Sequence, residues 1–147
     1  HPRVRRQRQM CIRDRKDGQQ LAVIKRMVRD LNMDIEIIGC PIVREEDGLA
    51  KSSRNTYLSP EERKAALILS KTVALGKELA KTEKDANKVV EAMKKNIETE
   101  PMAKIDYVEA VDALSMEPVE KLEGTCMLAM AVYIGKTRLI DNTLINE

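Results

Sequence analysis

The order of apolar and polar positions in the first third of the chain predicts one helix and one strand. Apolar residues recur at intervals of three and four up to about Asn32, which predicts an amphipathic helix; they are Leu21, Ile24, Met27, Val28 and Leu31. The β-branched run Ile35–Ile38, closed by Gly39, predicts a buried strand. A helix followed by such a strand is the end of a βαβ unit, so the strand expected before the helix is missing.

The rest of the chain predicts two helices followed by three strands. Ser59 is a helix cap, Pro60 suits the first turn and Glu62 completes a capping box, so a helix begins there and runs to about Ala80. A second helix is predicted at about Asp85–Ile97, and strands are predicted at Ile105–Val111, Cys126–Ile134 and Thr137–Asp141. The predicted fold class is an α/β fragment followed by a small α+β domain with two helices and a three-stranded antiparallel sheet.

Composition limits the kinds of function that this chain can have. Hydrophobic residues make up 43% of the 147 residues, and Phe and Trp are absent, so the core must be aliphatic. Single-stranded nucleic acid is usually bound on aromatic platforms, which makes such a function a poor fit. The three cysteines lack metal-ligand spacing and indicate reduced thiols in a cytoplasmic protein. No apolar run approaches the ~20 residues of a membrane span.

The first 15 residues differ sharply from the rest in charge. They contain six Arg and one acidic residue, a net charge of +5, which leaves −3 for the other 132 residues. This tail suggests a nucleic-acid-binding arm, a targeting peptide, or a sequence with no natural origin. The segment RQRQMCIRDR resembles a translated sequencing-adapter read-through, which favours an artefactual or disordered tail over residues 1–15. The alternative is a non-catalytic basic module that binds nucleic acid through Arg3–Arg15.

Two polar segments carry candidate chemistry. The first is Lys16–Gln20, at the opening of the first helix, where a lysine can meet phosphates beside the positive end of the helix dipole. The second is the loop Arg44–Asn55, in which Lys51 and Arg54 flank two serines. Two cations and two hydroxyl donors in four residues suit a polyphosphate, although a solvated polar loop would have a similar composition.

Together these segments resemble the pantothenate synthetase family. The family reads Gly-x-Lys-Asp-x-Gln-Gln, then Pro-x-x-Arg-x-x-Asp-Gly-Leu-Ala, then Ser-Ser-Arg-Asn-x-Tyr-Leu. This chain has KDGQQ from Lys16, PIVREEDGLA from Pro41 and SSRNTYL from Ser52. The late segment GKTRLIDN, Gly135–Asn142, is similar to the family's C-terminal strand pair, so the resemblance covers about residues 16–147. The pair Asp14-Arg15 departs from the family pattern, and Lys51 stands where the family often has Leu or Met.

The resemblance implies an ATP-dependent ligase that joins (R)-pantoate to β-alanine through a pantoyl-adenylate, with Mg²⁺ assisting. It implies that Lys16 contacts phosphate, that Asp17 contacts the ribose and that Gln20 holds pantoate. It further implies that Val43 meets adenine through its backbone. The remaining implied ATP-binding residues form a loop over the triphosphate: Lys51, Ser52, Ser53 and Arg54.

The resemblance also implies that part of the active site is missing. The family's His-x-Gly-His motif lies in an N-terminal Rossmann-like nucleotidyltransferase domain, whereas this sequence has one histidine, His1. No catalytic residue of that motif is therefore expected here, and the chain is expected to be inactive alone. The expected division is a tail over 1–15, a remnant of the Rossmann-like domain over 16–43 and a C-terminal α+β lid domain over 44–147. The parent enzyme is expected to be a cytoplasmic homodimer that binds neither nucleic acid nor membranes.

Overall fold

The computed structural model describes residues 9–147, which contain three α-helices, one 3₁₀ turn and five strands. The helices are α1 (Gly18–Asp30), α2 (Pro60–Leu79) and α3 (Ala86–Glu98), and the 3₁₀ turn is Ser53–Tyr57. The strands are β1 (Gln9–Asp14), β2 (Ile35–Cys40), β3 (Ala103–Asp112), β4 (Cys126–Ile134) and β5 (Thr137–Ile145). No helix within this described part is long and apolar enough to cross a membrane.

The last three strands form the three-stranded antiparallel sheet that the sequence predicts, and their order is β3-β4-β5. The β4–β5 hairpin turns at Gly135, whose φ of +59° favours glycine. Strand β5 runs four residues further than predicted, because Ala129 pairs with Asn142 and Cys126 pairs with Ile145. The polar pair Asp141-Asn142 interrupts the apolar pattern in β5, yet both residues are buried and hydrogen-bonded.

One face of this sheet packs on α2 and α3 and forms the core. Helix α2 begins as predicted, with the Ser59 side chain accepting from Glu62 N and the Glu62 side chain accepting from Ser59 N. Both helices and the central strand β4 contribute to the largest fully buried apolar side chains, which include Leu69, Met93, Ile97, Leu128, Met130 and Ile134. Within the described residues the whole core cluster lies between Leu49 and Ile145. The predicted boundary between residues 43 and 44 stays a prediction.

Strand β1 corrects one prediction. The strand before α1 was expected to be missing, but Gln9–Asp14 pairs in parallel with β2, from Gln9 opposite Ile35 to Asp14 opposite Cys40. Periodicity did not reveal this strand because its short apolar run, Met10–Ile12, stands among arginines. Parallel pairing uses the backbone, which any of these residues can supply. Residues 1–8 lie outside the described part, and an artefactual origin for the tail stays a prediction.

Candidate active site

The sheet face opposite α2 and α3 forms a cleft with the start of α1. The cleft has a volume of about 260 Å³. Strand alternation places side chains of all three strands on this face, including Tyr107, Glu109, Ala129 and Asn142. The first residues of the α1 segment, Lys16–Gln19, form its other wall. The sequence therefore brings one predicted phosphate-binding segment against the strand pair that contains GKTRLIDN.

Two features fix the start of α1 on the sheet. A Cβ at Gly18 would clash with Met127 Sδ, so this close approach requires glycine or a shift of the methionine. Asn142 Nδ2 donates to the carbonyl oxygens of Arg15 and Lys16, at 2.8 and 2.9 Å. Asp17 caps the helix, since its Oδ1 accepts from Gln20 N at 3.0 Å. Lys16 is thus held by its backbone just before the helix begins.

Replacing Asn142 with alanine should loosen this attachment. Asn142→Ala leaves two carbonyl oxygens without their donor, and the expected loss is ~1–3 kcal/mol in the free energy of unfolding. Urea denaturation followed by circular dichroism measures it. Asn87→Ala, on the exposed face of α3, is the control and should change the free energy of unfolding by less than about 0.5 kcal/mol. Equal effects of the two substitutions would contradict the attachment.

Lys16 lies in an unusual electrostatic environment. Burial, and next the nearby Arg54 guanidinium, hold the pKa of Lys16 below its ordinary value. The carboxylates of Asp141, Asp14 and Asp17 act in the opposite direction and raise that pKa. Lys16 and Arg54 repel each other, and the three carboxylates act against this repulsion. An anion bound between the cations would relieve the repulsion further, so the site favours an anionic ligand.

The loop of residues 44–55 is closed by its own hydrogen bonds. Lys51 N donates to the carbonyl of Val43 at 2.9 Å, and Arg44 and Ala50 form an antiparallel bridge. Asn55 is buried, and its Nδ2 donates to Glu45 Oε1 at 2.9 Å and to the carbonyl of Ala50 at 3.1 Å. The loop is therefore an ordered hairpin that ends in the 3₁₀ turn, with Ser52 as the cap of that turn.

Two arginines attach this loop to the rest of the domain. Arg63 of α2 donates to Glu45 Oε2 at 2.7 Å and to Asp47 Oδ2 at 2.8 Å. Arg44 donates from Nη1 and Nη2 to the two carboxylate oxygens of Asp141 on β5, at 2.8 and 2.9 Å. Hydrogen bonding to Asp141 raises the pKa of Arg44, so the guanidinium stays charged.

This chain matches the family model described as pantoate-β-alanine ligase over residues 7–144. The chain belongs to the pantoate-β-alanine ligase family. The match begins inside the arginine-rich tail and includes both candidate segments and the strand pair of the cleft. Nothing in this match supports the nucleic-acid-binding alternative.

Two named relatives share most of this chain but extend well beyond it. Pantothenate synthetase of Enterococcus faecalis is 64% identical over 128 residues, which are 86% of this chain and 45% of the relative. Pantothenate synthetase of Clostridium acetobutylicum is also 64% identical over 128 residues, or 46% of its length. The chain therefore spans about half the length of the curated relatives that it matches.

Solved structures of the family have the same fold over nearly the whole chain. The crystal structure of pantothenate synthetase from Thermus thermophilus matches 92% of this chain, and this chain covers 49% of it. The TM-score is 0.86 and the sequence identity is 38%. The enzyme from Francisella tularensis, solved in complex with β-γ ATP and β-alanine, matches with a TM-score of 0.57 at 28% identity. That match covers 92% of this chain and 43% of the other.

The site residues predicted for this family member fall into two groups. Lys16 and Asp17 line the cleft, and Arg54 acts electrostatically on Lys16. The other predicted ATP-binding residues lie in or directly before the 44–55 loop, where they line two pockets separate from the cleft: Val43, Lys51, Ser52 and Ser53. Gln20 is exposed and does not line the cleft, whereas its neighbour Gln19 does. The roles of all these residues stay predictions.

The sequence alone did not single out Asp141 or Asn142 as parts of the site. Both belong to the segment Gly135–Asn142, whose only signal was its likeness to the family's C-terminal strands. A buried aspartate in an apolar strand is a usable signal, because such a residue needs a partner that its neighbours in sequence do not offer.

Proposed function

We propose that this chain is the C-terminal portion of an ATP-dependent ligase that joins (R)-pantoate to β-alanine. A carboxylate oxygen of pantoate forms a bond to the α-phosphorus of ATP, and pyrophosphate leaves. The amine of β-alanine then attacks the carbonyl carbon of the pantoyl-adenylate, loses a proton and displaces AMP. The observation that supports this most directly is the cleft at the start of α1, which Lys16 lines and in which the Arg54 charge lowers the pKa of Lys16, in a member of this family.

Lys16 and Arg54 suit the phosphates of ATP for a physical reason. Charge on the phosphate oxygens must be balanced while pyrophosphate departs, and positioned cations in a partly buried site do this without rearranging. The α1 N-terminus adds its own partial positive charge beside Lys16. The chain thus supplies charge balance and alignment, which are the main demands of phosphoryl chemistry.

The serines of the 3₁₀ turn supply donors for the same phosphates. Ser52 Oγ accepts from Arg54 N at 3.2 Å, which leaves its hydroxyl hydrogen to donate to a ligand. Ser53 is exposed at the first position of the turn, and Lys51 precedes both as a third cation. In this proposal these three residues contact the triphosphate from the same loop that contains Arg54.

The remaining residues are assigned to the other parts of the substrates. Asp17 keeps its second carboxylate oxygen for the ribose hydroxyls, because Oδ1 already caps α1. Val43 meets adenine through its backbone, and Gln20, one turn into α1, holds pantoate. The α1 and β1–β2 segment is the end of a Rossmann-like nucleotidyltransferase domain, and residues 44–147 are its lid.

The chain provides no dedicated site for Mg²⁺ in the part that the structure describes. Residues 9–147 contain no group of three or more His, Cys, Asp or Glu side chains that could hold a metal ion. A nucleotide-bound Mg²⁺ commonly takes phosphate oxygens and water with one or two carboxylates. We propose that Mg²⁺ assists the reaction bound to ATP in this way, and none of the residue roles assigned here depends on a protein metal site.

The proposal also includes the cellular location of the protein and the oligomeric state of its parent enzyme. The free thiols of Cys11, Cys40 and Cys126 are what a reducing compartment favours, which supports a cytoplasmic location. We propose that the parent is a homodimer that acts on small molecules and not on nucleic acid or membranes. We further propose that this chain is inactive alone, because the sequence does not contain the His-x-Gly-His motif of the family.

The test is synthesis of pantothenate by the complete reading frame that contains this chain. Purified protein is incubated with (R)-pantoate, β-alanine and ATP, and both AMP and pantothenate are measured by liquid chromatography and mass spectrometry. We expect equal amounts of the two products from the complete protein and none from the 147-residue chain. AMP without pantothenate, or neither product from the complete protein, would be evidence against the proposed ligase.

A further inference from the structure

Asp141 is a buried carboxylate with three hydrogen-bond donors. The residue is 2% exposed and lies within β5, opposite Met130 of β4. Its two carboxylate oxygens accept from Arg44, and Oδ1 also accepts from Asn142 N at 2.8 Å. Two-point pairing of this kind fixes the guanidinium plane as well as its position.

The same guanidinium holds the 44–55 loop together. Arg44 Nη1 donates to the carbonyl of Gly48 at 3.0 Å, across the turn of the loop. Further along the loop, Arg54 Nη1 donates to the carbonyl of Arg138 at 3.3 Å. Arg44 thus bonds to residue 141 and Arg54 to residue 138. The beginning and the end of the loop are therefore both held by hydrogen bonds to the same strand, β5.

We propose that Asp141 is a positioning residue for nucleotide binding: by pairing with Arg44 it fixes the 44–55 loop on β5 and so sets where Ser52, Ser53 and Arg54 stand relative to Lys16. This inference rests on the proposed function, because those four residues are among the ones assigned to ATP. Asp141 itself contacts no substrate in this scheme and acts through Arg44.

The charges around Lys16 give Asp141 a second effect on the same site. The Asp141 carboxylate raises the pKa of Lys16, against the lowering caused by burial and by Arg54. Asp14 and Asp17 are the other carboxylates that raise it. Asp141 thus favours the charged form of Lys16 while Arg44 occupies both carboxylate oxygens.

A purely structural role is the competing explanation. Buried ion pairs often contribute little net stability, so their presence is weak support for a stabilising role. If Asp141 is instead a positioning residue, replacing it should change both the geometry of the loop and the affinity for ATP. The two explanations separate when loop motion, fold stability and ATP affinity are measured on the same variants.

The experiment is done in the complete protein and compares wild type with Asp141→Asn, Arg44→Lys and a charge-matched control, Asp30→Asn. Asp30 pairs with Arg26 on the exposed side of α1, outside the loop and the cleft. Hydrogen exchange follows the loop amides of Glu45, Gly48 and Lys51, each bonded to a carbonyl of the 43–49 segment. Calorimetric titration with ATP gives affinity, and exchange of α3 reports whether the fold is intact.

In Asp141→Asn we expect loop exchange to rise, α3 exchange to stay unchanged and ATP affinity to fall by at least about tenfold. Arg44→Lys keeps the charge but loses the two-point bond, so it should show a smaller change of the same kind. Asp30→Asn should match wild type in all three measurements. Unchanged loop exchange, or faster loop exchange with unchanged ATP affinity, would overturn the proposal.

The pH profile gives a readout that a merely structural role would not move. ATP affinity should fall at alkaline pH as Lys16 loses its proton, and in Asp141→Asn this fall should begin at lower pH, because a carboxylate that raises the pKa of Lys16 is gone. An unshifted profile would overturn the electrostatic part. If the complete wild-type protein binds no ATP, the proposed function fails and the nucleotide role of Asp141 fails with it, whereas loop exchange still decides whether Asp141 anchors the loop.

Discussion

Lys16→Met is expected to lower kcat/KM for ATP by about 100- to 1000-fold in the complete protein, or ~2.7–4 kcal/mol of transition-state stabilisation. The reason is that Lys16 is a half-buried cation whose backbone is held at the start of α1 by a hydrogen bond from Asn142. Methionine keeps most of the side-chain length and removes only the ammonium. Steady-state kinetics with ATP as the varied substrate measures the effect.

Two further variants decide whether the lost charge is the cause. Lys136→Met removes an exposed lysine at the β4–β5 turn, outside the cleft, and should leave kcat/KM unchanged. Lys16→Arg restores a cation that does not titrate below about pH 12, so it should recover part of the activity. Loss of activity in Lys136→Met equal to that in Lys16→Met would show that the cleft is not the site.

The pH dependence follows from the direction of the Lys16 pKa. That pKa lies below the ordinary value of 10.5 because of burial and Arg54, so the ammonium is lost earlier on raising the pH than at an exposed lysine. Bound phosphate favours the ammonium, and the affinity for ATP therefore falls as pH rises through the lowered pKa. Lys16→Arg should remove this alkaline fall, because arginine stays charged.

The fold was predictable where local patterns determine it. Ser59 and Glu62 identify the start of α2 because a capping box is formed by neighbours in sequence. Strand alternation and the Gly135 turn likewise identify the hairpin. Strand β1 was missed because its partner β2 lies beyond a helix and parallel pairing leaves little local signal.

The resemblance to the family named candidate site residues but not their geometry. The likeness to the family named Lys16 and Arg54, yet no spacing rule places residues 38 positions apart near one another. The pair Arg44 and Asp141 is separated by 97 positions and exists only because β5 runs beside the loop. What the sequence lacked was the tertiary arrangement, which decides the partners of every buried charge.

Hydrogen exchange should divide the 147-residue chain into two parts of unequal stability. Helices α1 and α3 both have 13 residues, which makes them a matched pair. Helix α3 buries Val89, Met93 and Ile97 in the core, whereas α1 buries only Leu21 and Ala22 and no residue before Leu49 belongs to the core cluster of the described chain. Few buried apolar contacts mean a low free energy of local opening.

We expect amides in the middle of α3 to be protected at least about 100-fold more than those of α1, a difference of ~2.7 kcal/mol. Val23, Met27 and Leu31 of the α1 region are 59%, 45% and 67% exposed, so apolar surface that could stabilise this helix contacts solvent. In the complete protein the same α1 amides should exchange more slowly, provided that the additional sequence of the longer relatives packs on this surface. Equal protection of α1 and α3 in the 147-residue chain would contradict this division. It would mean that α1, with only two buried residues, opens only when the whole core unfolds.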